Sequence, residues 1–205
     1  MVGGTEMELR RQLFIVIEGL DGVGKTTTTK LLARTIGAVI VRNPPESLAH
    51  MRMLFENQPE PVKRRFFEFG NLVTNLTVAD LIEQTPIVSD RWWYSTRAAE
   101  LGHGVYDMCD ALAYEAPPGL LEPDFAFLLH LGETERRERI LSRGENLTDG
   151  ELLLMNDASF RYRVLEGYRR MGLSEVDITG LTPMEVVQRI CQKLLDPVSQ
   201  ASHLG

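Results

Sequence analysis

The sequence predicts an α/β fold in which helices flank a five-stranded parallel sheet. Five short apolar runs recur at long intervals, and each is mostly continuous rather than alternating with polar residues. That pattern is typical of strands that are buried on both faces of a parallel sheet. Longer segments with helical periodicity separate the runs, so right-handed helical crossovers are expected to join the strands. The chain has 205 residues, the length of one domain, which we expect to span residues 1–205.

The apolar spacing assigns each element in chain order. The predicted strands are Leu13–Ile17, Ile36–Val41, Pro86–Ser89, Phe125–Leu131 and Val176–Ile178. The predicted helices are Thr26–Thr35, Pro61–Glu83, Glu133–Arg143, Leu152–Arg170 and Thr182–Leu195. The second helix carries phenylalanines and leucines at helical spacing. The last one begins after a Thr182 cap with Pro183 at its first position, where proline is favoured.

Composition and charge narrow the class of protein. Hydrophobic residues make up 43% and charged residues 25%, as in average soluble domains. The formal charge of −7 disfavours nucleic acid or an anionic membrane as a partner, although local arginines can still bind a small anion. No apolar run is long enough for a membrane span, and the polar residues 1–12 predict neither a signal nor a transit peptide. Cys109 and Cys191 match no metal spacing and favour a reducing compartment, by default the cytoplasm.

The sharpest motif is a phosphate-binding loop (P-loop) at residues 19–26. Its sequence, GLDGVGKT, fits G-x-x-x-x-G-K-[ST] and lies between an apolar strand and a helical segment, which specifies a P-loop NTPase fold. The glycines let several backbone N–H groups point at one phosphate, and the following helix adds its dipole. Lys25 is a mobile charge for the β- and γ-phosphates, and Thr26 offers a hydroxyl to Mg²⁺. The predicted ATP-binding residues of this segment are Gly19, Gly22, Val23, Gly24, Lys25, Thr26 and Thr27.

Three more charged residues stand where a ligand is expected. Asp90 and Arg91 end the third strand, and the carboxyl ends of parallel strands hold the ligand in such sheets. Asp90 can hold Mg²⁺ through water, and Arg91 can reach a phosphate with its bidentate fork. Asp21 lies inside the loop. It either accepts from a sugar hydroxyl of a second substrate or bonds its own backbone as a turn aspartate.

With these motifs in place, the chain resembles the thymidylate kinase family of P-loop nucleoside monophosphate kinases. The blocks that carry the resemblance are FIVIEGLDGVGKTT at 14–27, VRNP at 41–44, DRW at 90–92 followed by Ser95-Thr96, LEPDF at 121–125, and the LID start at 139–144. They stand in the family's order and cover residues 13 to about 195. The resemblance implies an acceptor-binding region at 42–75, a short LID at about 136–157, and a homodimer that uses ATP and Mg²⁺.

The same resemblance implies roles for individual residues. Arg42 and Arg91 would hold the acceptor monophosphate, and Asp21 would bond its sugar. Phosphoryl transfer needs converging cations more than it needs a nucleophile or a base. The implied metal ligands are Thr26 and Asp90, and the implied catalytic residues are Lys25, Arg91, Arg143 and Asp21.

We expect the catalytic arginine of this chain to lie in the LID. Some family members carry that arginine in the P-loop directly after the aspartate, where this chain has Gly22. We expect the charge to come instead from Arg143, with Arg139, four residues earlier on the same helical face, as the second candidate. Both would close over ATP as a LID does. For Arg136 and Arg137 we expect solvated surface positions.

The base of the acceptor is left open. Phe66 and Phe67 stand where the family places an aromatic that stacks on the base, but the arginine that usually follows to read the base edge is absent. Arg97 is either a third phosphate or sugar contact or a surface residue. Residues 43–45, 64–65, 70–71 and 91–96 are instead similar to the mitochondrial UMP-CMP kinase branch of the family. The acceptor is therefore dTMP or one of UMP, CMP, dUMP and dCMP.

Two other functions stay open from sequence alone. A deoxynucleoside kinase shares the P-loop and the acid–arginine pair, but it needs a general base for its neutral acceptor. Arg42 and Asp21 favour a monophosphate acceptor over that alternative. A non-catalytic nucleotide-binding module is the second alternative, and the intact Lys25, Thr26 and Asp90 speak against it.

Overall fold

The computed structural model describes residues 12–144 and 146–195, so the expectation for the N-terminal residues concerns mostly residues outside this range. Five parallel strands form one sheet in the order β2–β3–β1–β4–β5. The strands are β1 Phe14–Glu18, β2 Val39–Arg42, β3 Ile87–Asp90, β4 Phe125–His130 and β5 Ser174–Asp177. The helices are α1 Lys25–Ile36, α2 Ala49–Glu56, α3 Glu60–Leu81, α4 Trp93–Gly102, α5 Glu133–Leu141, α6 Asp149–Asn156, α7 Ala158–Arg170 and α8 Pro183–Leu195. The predicted five-stranded α/β architecture is confirmed.

The central strand β1 shows why its sequence is apolar without alternation. Alternate side chains of a strand point to opposite faces of the sheet. Ile15 and Ile17 belong to one hydrophobic core, and Phe14 and Val16 belong to a second core on the other face. Every residue of β1 is buried. Helices cover both faces of the sheet, which is the arrangement that the continuous apolar runs predict.

The two cores use different helices. The first is built with α1, α7 and α8, and the second with α3 and the two adjacent tryptophans, Trp92 and Trp93. Trp92 is wholly buried and meets the ring of Phe14 edge-on at 5.3 Å. Its indole N–H donates to the Leu121 carbonyl at 3.2 Å. None of the helices within 12–144 and 146–195 has the length and apolar character that spanning a bilayer requires.

Beyond shifts of one or two residues at the ends of elements, two assignments were wrong. Helix α1 continues through Ile36, and Gly37, in the left-handed region at φ 68°, ends it, so β2 begins only at Val39. The helix predicted over Leu152–Arg170 is two helices, α6 and α7. The break falls at Asp157, whose carboxylate accepts the N–H of Phe160 at 2.8 Å and so caps a new helix.

Helices α2 and α4 were not predicted from the sequence, and the physical reason is different for each. Helix α2 is only eight residues long and none of its side chains is fully buried, so its apolar pattern is too short for a periodicity search to detect. Helix α4 lacks a local cap. Its first turn is capped by Glu18, which accepts the N–H groups of Trp92 at 2.8 Å and Ser95 at 3.2 Å. A cap supplied from more than 70 residues away leaves no local sequence signal.

Candidate active site

The P-loop takes backbone conformations that require glycine at two positions. Gly19 has φ 142°, and a Cβ built there would lie 2.6 Å from the Leu129 carbonyl oxygen. Gly22 has φ 94°, and a Cβ there would lie 2.9 Å from the Arg136 carbonyl oxygen. Real Cβ atoms do not approach oxygen so closely, and the left-handed region disfavours other residues. The loop therefore joins β1 to α1 in the form that a phosphate cradle needs.

Lys25 begins α1 with its ammonium group folded back onto the loop. Its Nζ donates to the Leu20 carbonyl at 2.8 Å and lies 3.5 Å from an Asp21 carboxylate oxygen. Burial and the neighbouring Arg91 cation lower the pKa of Lys25 to about 8, against the opposing effect of Asp21 and Asp90. The loop thus holds a desolvated cation within reach of any phosphate that enters.

Thr26 and Asp90 meet where a metal ligand set was predicted. The Thr26 hydroxyl donates to an Asp90 carboxylate oxygen at 2.6 Å, and Arg42 lies 3.8 Å from the same oxygen. A hydroxyl and one carboxylate suit Mg²⁺, which keeps water ligands and is commonly held by one or two carboxylates together with substrate phosphates. The described residues offer no group of three or more His, Cys, Asp or Glu side chains arranged for a metal. The donor set therefore fits a Mg²⁺ ion that arrives with a nucleotide.

Arg91 connects the P-loop to the end of β3. It adopts a left-handed backbone at φ 74°, and its guanidinium is ion-paired with Asp21 and donates to the Ser95 hydroxyl at 2.9 Å. Burial acts to raise the pKa of Asp21, but Arg91 and Lys25 outweigh it and hold that pKa well below its usual range. Asp21 is thus a permanent anion between two cations.

The buried carboxyl group of Glu18 helps to position Arg91. Glu18 is wholly buried; besides capping α4, it accepts the Ser95 hydroxyl at 2.6 Å and the Tyr168 hydroxyl at 3.3 Å. Burial raises the pKa of Glu18, although Arg91 acts against that rise. Glu18 therefore fixes the chain segment that carries Arg91, although it lines neither of the cavities described next.

Two adjoining cavities open at the carboxyl ends of the strands. The P-loop cavity is polar and is lined by Asp21, Gly22, Gly24, Lys25, Thr26, Thr27, Arg42, Asn43, Arg52, Asp90, Arg91 and Arg143. The second cavity, of about 360 Å³, lies mainly between α3, α4, α6 and α7, and we call it the acceptor cavity. The two share Asp21, Asn43, Arg52 and Arg91. Five cations therefore line the P-loop cavity of a chain whose formal charge is −7.

The structure brings together most of the predicted site residues. Those in the P-loop cavity are Gly22, Gly24, Lys25, Thr26, Thr27, Arg42, Asp90, Arg91 and Arg143. Those in the acceptor cavity are Gly19, Asp21, Phe67 and Arg91. The Val23 side chain packs in the core, so only its backbone faces the loop.

Three predicted site residues lie elsewhere. Phe66 packs its ring parallel to Phe55 of α2 at 5.0 Å and is buried there, because α2 covers that face of α3. Arg97 lies outside both cavities, 3.4 Å from Glu100 and over the ring of Tyr106 at 4.4 Å. Arg139 donates to Glu135 at 2.6 Å, and its guanidinium stands beside Gly24 rather than in the P-loop cavity.

The structure also corrects the predicted surface position of Arg136. The charged run predicts a solvated position, but the Arg136 side chain is only 1% exposed. It donates to the Asp21 carbonyl at 2.8 Å and to the Glu133 carboxylate at 2.7 Å and 2.9 Å, while its stem packs against Gly22. Arg137 also turns inward and donates to the Met155 carbonyl at 2.6 Å. The sequence gives no signal for Arg136, because its partner in the P-loop is 115 residues away.

Replacing Arg136 with methionine is expected to lower the free energy of unfolding by about 1–3 kcal/mol. Methionine keeps much of the packed stem but leaves the Asp21 carbonyl without its donor. Chemical denaturation measures the change. Arg137→Met, which removes a half-buried neighbour of the same helix, is the comparison. An equal or larger loss for Arg137→Met would show that Arg136 has no special role in holding the loop.

Sequence reasoning also missed Arg52, which lines both cavities. It stands on α2, and its guanidinium donates to Glu56 at 3.1 Å. Its charge contributes to the low pKa of Asp21. Because α2 is only eight residues long and carries no motif, nothing in the local pattern marked Arg52 as part of a site.

Comparison with known proteins identifies relatives over most of the chain. Residues 17–190 match the family model described as "Thymidylate kinase". The chain is 30% identical over 193 residues to human "UMP-CMP kinase 2, mitochondrial", an alignment that covers 91% of this chain and 42% of that protein. It is 28% identical over 200 residues to the thymidylate kinase of Ruegeria pomeroyi, covering 82% of this chain and 93% of that one. The chain thus spans less than half of the human relative and nearly all of the bacterial one.

Solved structures agree on the fold. A thymidylate kinase from Candida albicans superposes with a TM-score of 0.71 at 18% identity, covering 93% of this chain and 94% of that one. A deoxyadenosine kinase from M. mycoides superposes with a TM-score of 0.63 at 18% identity, covering 89% and 99%. At these identities the similarity establishes the P-loop NTPase fold and does not separate the two activities.

Proposed function

We propose that this chain, which belongs to the thymidylate kinase family and is a nucleoside monophosphate kinase, transfers the γ-phosphoryl group of ATP to a pyrimidine nucleoside monophosphate. The product is the corresponding nucleoside diphosphate. We further propose that the whole chain acts as one kinase domain, with the acceptor bound by residues 42–75 and the LID formed by residues 136–157. In the described part of the LID, α5 and α6 flank the loop that carries Arg143.

The observation that carries this proposal is the Arg91–Asp21 ion pair at the junction of the two cavities. Both residues line both cavities. Phosphoryl transfer requires two anions to approach in line while their charge is neutralised. A cation at the boundary can contact phosphates from either side. Because a deoxynucleoside kinase shares this arginine, it is Asp21 as its partner, together with Arg42 in the P-loop cavity, that favours a monophosphate acceptor.

The proposed roles follow from the contacts. Lys25 exchanges its bond to the Leu20 carbonyl for the β- and γ-phosphate oxygens of ATP, and the P-loop N–H groups bind the same phosphates. Thr26 and Asp90 would hold Mg²⁺, which would neutralise phosphate charge. Arg42 and Arg91 bind the acceptor phosphate, and Asp21 keeps Arg91 in place. Asp21 bonding a sugar hydroxyl remains part of the proposal.

Two groups of acceptors are proposed within the pyrimidine class. The relatives named thymidylate kinase support dTMP. The 30% identity to human UMP-CMP kinase 2 supports UMP or CMP, with dUMP and dCMP as their deoxy forms. Phe67 is the aromatic side chain of α3 that lines the acceptor cavity, and it is the proposed stacking partner of the base.

An acceptor panel tests the function. Purified protein with Mg·ATP is offered dTMP, dUMP, UMP, CMP, dCMP and thymidine, and the diphosphate or monophosphate products are separated and quantified. We expect diphosphate from at least one pyrimidine monophosphate. Turnover of thymidine alone would instead identify a deoxynucleoside kinase. No turnover of any acceptor would favour a non-catalytic nucleotide-binding module.

Arg143 is the proposed catalytic arginine of the LID. It lines the P-loop cavity and donates to the buried Glu151 at 2.9 Å. Arg143→Ala is expected to lower kcat by about 10²-fold with little change in the KM for ATP, because the charge is needed as transfer proceeds. Steady-state kinetics measure both constants. Arg139→Ala, the matched variant, is expected to change kcat less; equal losses in kcat and ATP affinity for Arg143→Ala would remove it from the transition state.

The chain is further proposed to be a homodimer in the cytoplasm. Phe69, Leu72 and Leu76 are exposed on α3 at helical spacing, a surface that a second copy would cover. Cys109 and Cys191 are free thiols, which suits a reducing compartment. Light scattering of the purified protein tests the dimer.

A further inference from the structure

Arg64 carries a buried donor that no group in residues 12–144 and 146–195 satisfies. It lies on α3 one turn before Phe67, and both side chains line the acceptor cavity. Its Nε is buried without a hydrogen-bond partner among the described residues, and it lies 3.8 Å from a carboxylate oxygen of Glu68 and 3.8 Å from one of Glu100. Buried donors are nearly always paired, so the contacts within the described residues leave hydrogen-bonding capacity on the Arg64 guanidinium, whose side chain is 19% exposed and lines the cavity.

Glu100 stands opposite on α4 and is only 5% exposed. It lines the acceptor cavity together with Thr96, one helical turn earlier. Arg97 approaches it at 3.4 Å from its own helix. A carboxyl group is an expensive residue to bury in a pocket for an anionic substrate, and nothing in the proposed chemistry uses one there. Neither Arg64 nor Glu100 touches the P-loop cavity.

Arg64 and Glu100 together offer hydrogen-bond donors and acceptors side by side. Arg64 offers N–H donors only, and an ionised carboxylate accepts only. The Watson–Crick edge of cytosine presents two adjacent acceptors, N3 and O2, beside the 4-amino donor. Uracil and thymine present an acceptor, O4, in place of that amino group and an N3–H donor in place of the N3 acceptor. Arginine to ring acceptors and carboxylate to the cytosine amine are pairings that proteins use to identify bases.

We propose that Arg64 and Glu100 read the edge of the acceptor base and favour cytosine nucleotides over those of uracil and thymine. This inference rests on the proposed function and narrows its acceptor. Arg64 donates to N3 and O2, and the Glu100 carboxylate accepts from the 4-amino group, with the base against Phe67. The pair takes the place of the base-reading arginine that is absent after the aromatic residue.

The charges around Glu100 predict how this preference varies with pH. Burial, opposed by Arg97 and Arg64 and aided by Glu68, raises the pKa of Glu100 to about 7. In the same cavity the His103 Nε2 lies 3.3 Å from a Glu60 carboxylate oxygen, and burial lowers the pKa of His103. Above pH 7 the Glu100 carboxylate favours the cytosine amine. Below pH 7 the neutral carboxyl can donate to O4, so Glu100 stops discriminating against uracil, although the N3–H of uracil still faces the Arg64 donors.

The experiment compares CMP with UMP at pH 6 and at pH 8.5. One ratio is that of their kcat/KM values with Mg·ATP, and the other is that of their binding affinities, measured by calorimetry with each nucleotide alone. The phosphate titrates alike in both nucleotides and cancels in the ratio. We expect the ratio to rise about tenfold with pH, as the ionised fraction of Glu100 does. In Glu100→Gln, whose amide both donates and accepts, we expect a smaller ratio that is independent of pH. Arg65→Gln, next to Arg64 but 72% exposed, serves as the control and keeps the pH dependence.

A ratio in the unaltered protein that is flat with pH, or a Glu100→Gln variant that retains the pH dependence, would overturn the inference. If Glu100→Gln fails to fold, the pH dependence of the ratio in the unaltered protein decides by itself. Absence of turnover with either nucleotide would count against the proposed function, while the binding ratio would still decide the role of Glu100.

Discussion

Replacing Lys25 with methionine is expected to lower the kcat for phosphoryl transfer by about 10²–10³-fold in a protein that remains folded. Lys25 is the buried cation of the P-loop cavity, only 7% exposed, and its pKa of about 8 keeps most of it charged at neutral pH. Transferring a phosphoryl group moves negative charge, and a desolvated cation beside it stabilises that charge far more than water does. Methionine has a similar length and no charge.

The control for this prediction lies on the same helix. Lys30 is exposed on α1, so Lys30→Met removes an equal charge without touching either cavity. We expect its kcat to stay within about twofold of the unaltered protein. Thermal unfolding of both variants separates loss of catalysis from loss of fold. A Lys25→Met variant with near-normal kcat would mean that the P-loop lysine does not contact the transferred group.

Replacing Arg91 with lysine is expected to lower kcat/KM for the monophosphate by about a hundredfold. The guanidinium fork contacts Asp21 and the Ser95 hydroxyl while lining both cavities. Lysine keeps the charge but cannot make those contacts and also bind a phosphate with a second donor pair. Because the P-loop binds ATP mainly through its own backbone, we expect the KM for ATP to change by less than about fivefold.

Separate titrations of ATP and monophosphate measure the two effects. Arg170→Lys is the matched control, since Arg170 is an exposed arginine that pairs with Glu166 at 3.0 Å, away from both cavities. We expect no change in either constant for that variant. Equal losses in ATP and monophosphate affinity for Arg91→Lys would indicate a general disturbance of the site and contradict a specific role on the acceptor side.

The P-loop was predictable from sequence because its physics is local. Gly19 and Gly22 are required by backbone conformation, and Lys25 and Thr26 follow them at fixed spacing. Strand β3 indicated Asp90 for a similar reason, since a buried strand that ends in an acid in a parallel sheet points to the ligand edge. These predictions needed only a strand, a turn and a helix in order.

Residues whose environment depends on distant contacts could not be predicted in this way. Which of Phe66 and Phe67 faces the cavity is decided by α2, an eight-residue helix that is too short for a periodicity search to detect. Arg136 reads as a surface residue within a charged run, but it contacts a loop 115 residues earlier. Glu100 lies in an ordinary helical segment, and only the packing of α3 against α4 brings it near Arg64.

The central claim is that two nucleotides bind in adjoining cavities with their phosphates converging at Arg91 and Lys25. A bisubstrate ligand, adenosine joined to a pyrimidine nucleoside through five phosphates, tests it directly by calorimetry. We expect one molecule per chain, bound at least about 10²-fold more tightly than ATP or the monophosphate, because the second contact is intramolecular. Both ATP and the monophosphate should displace it. Binding no tighter than ATP, with no competition from the monophosphate, would contradict this claim.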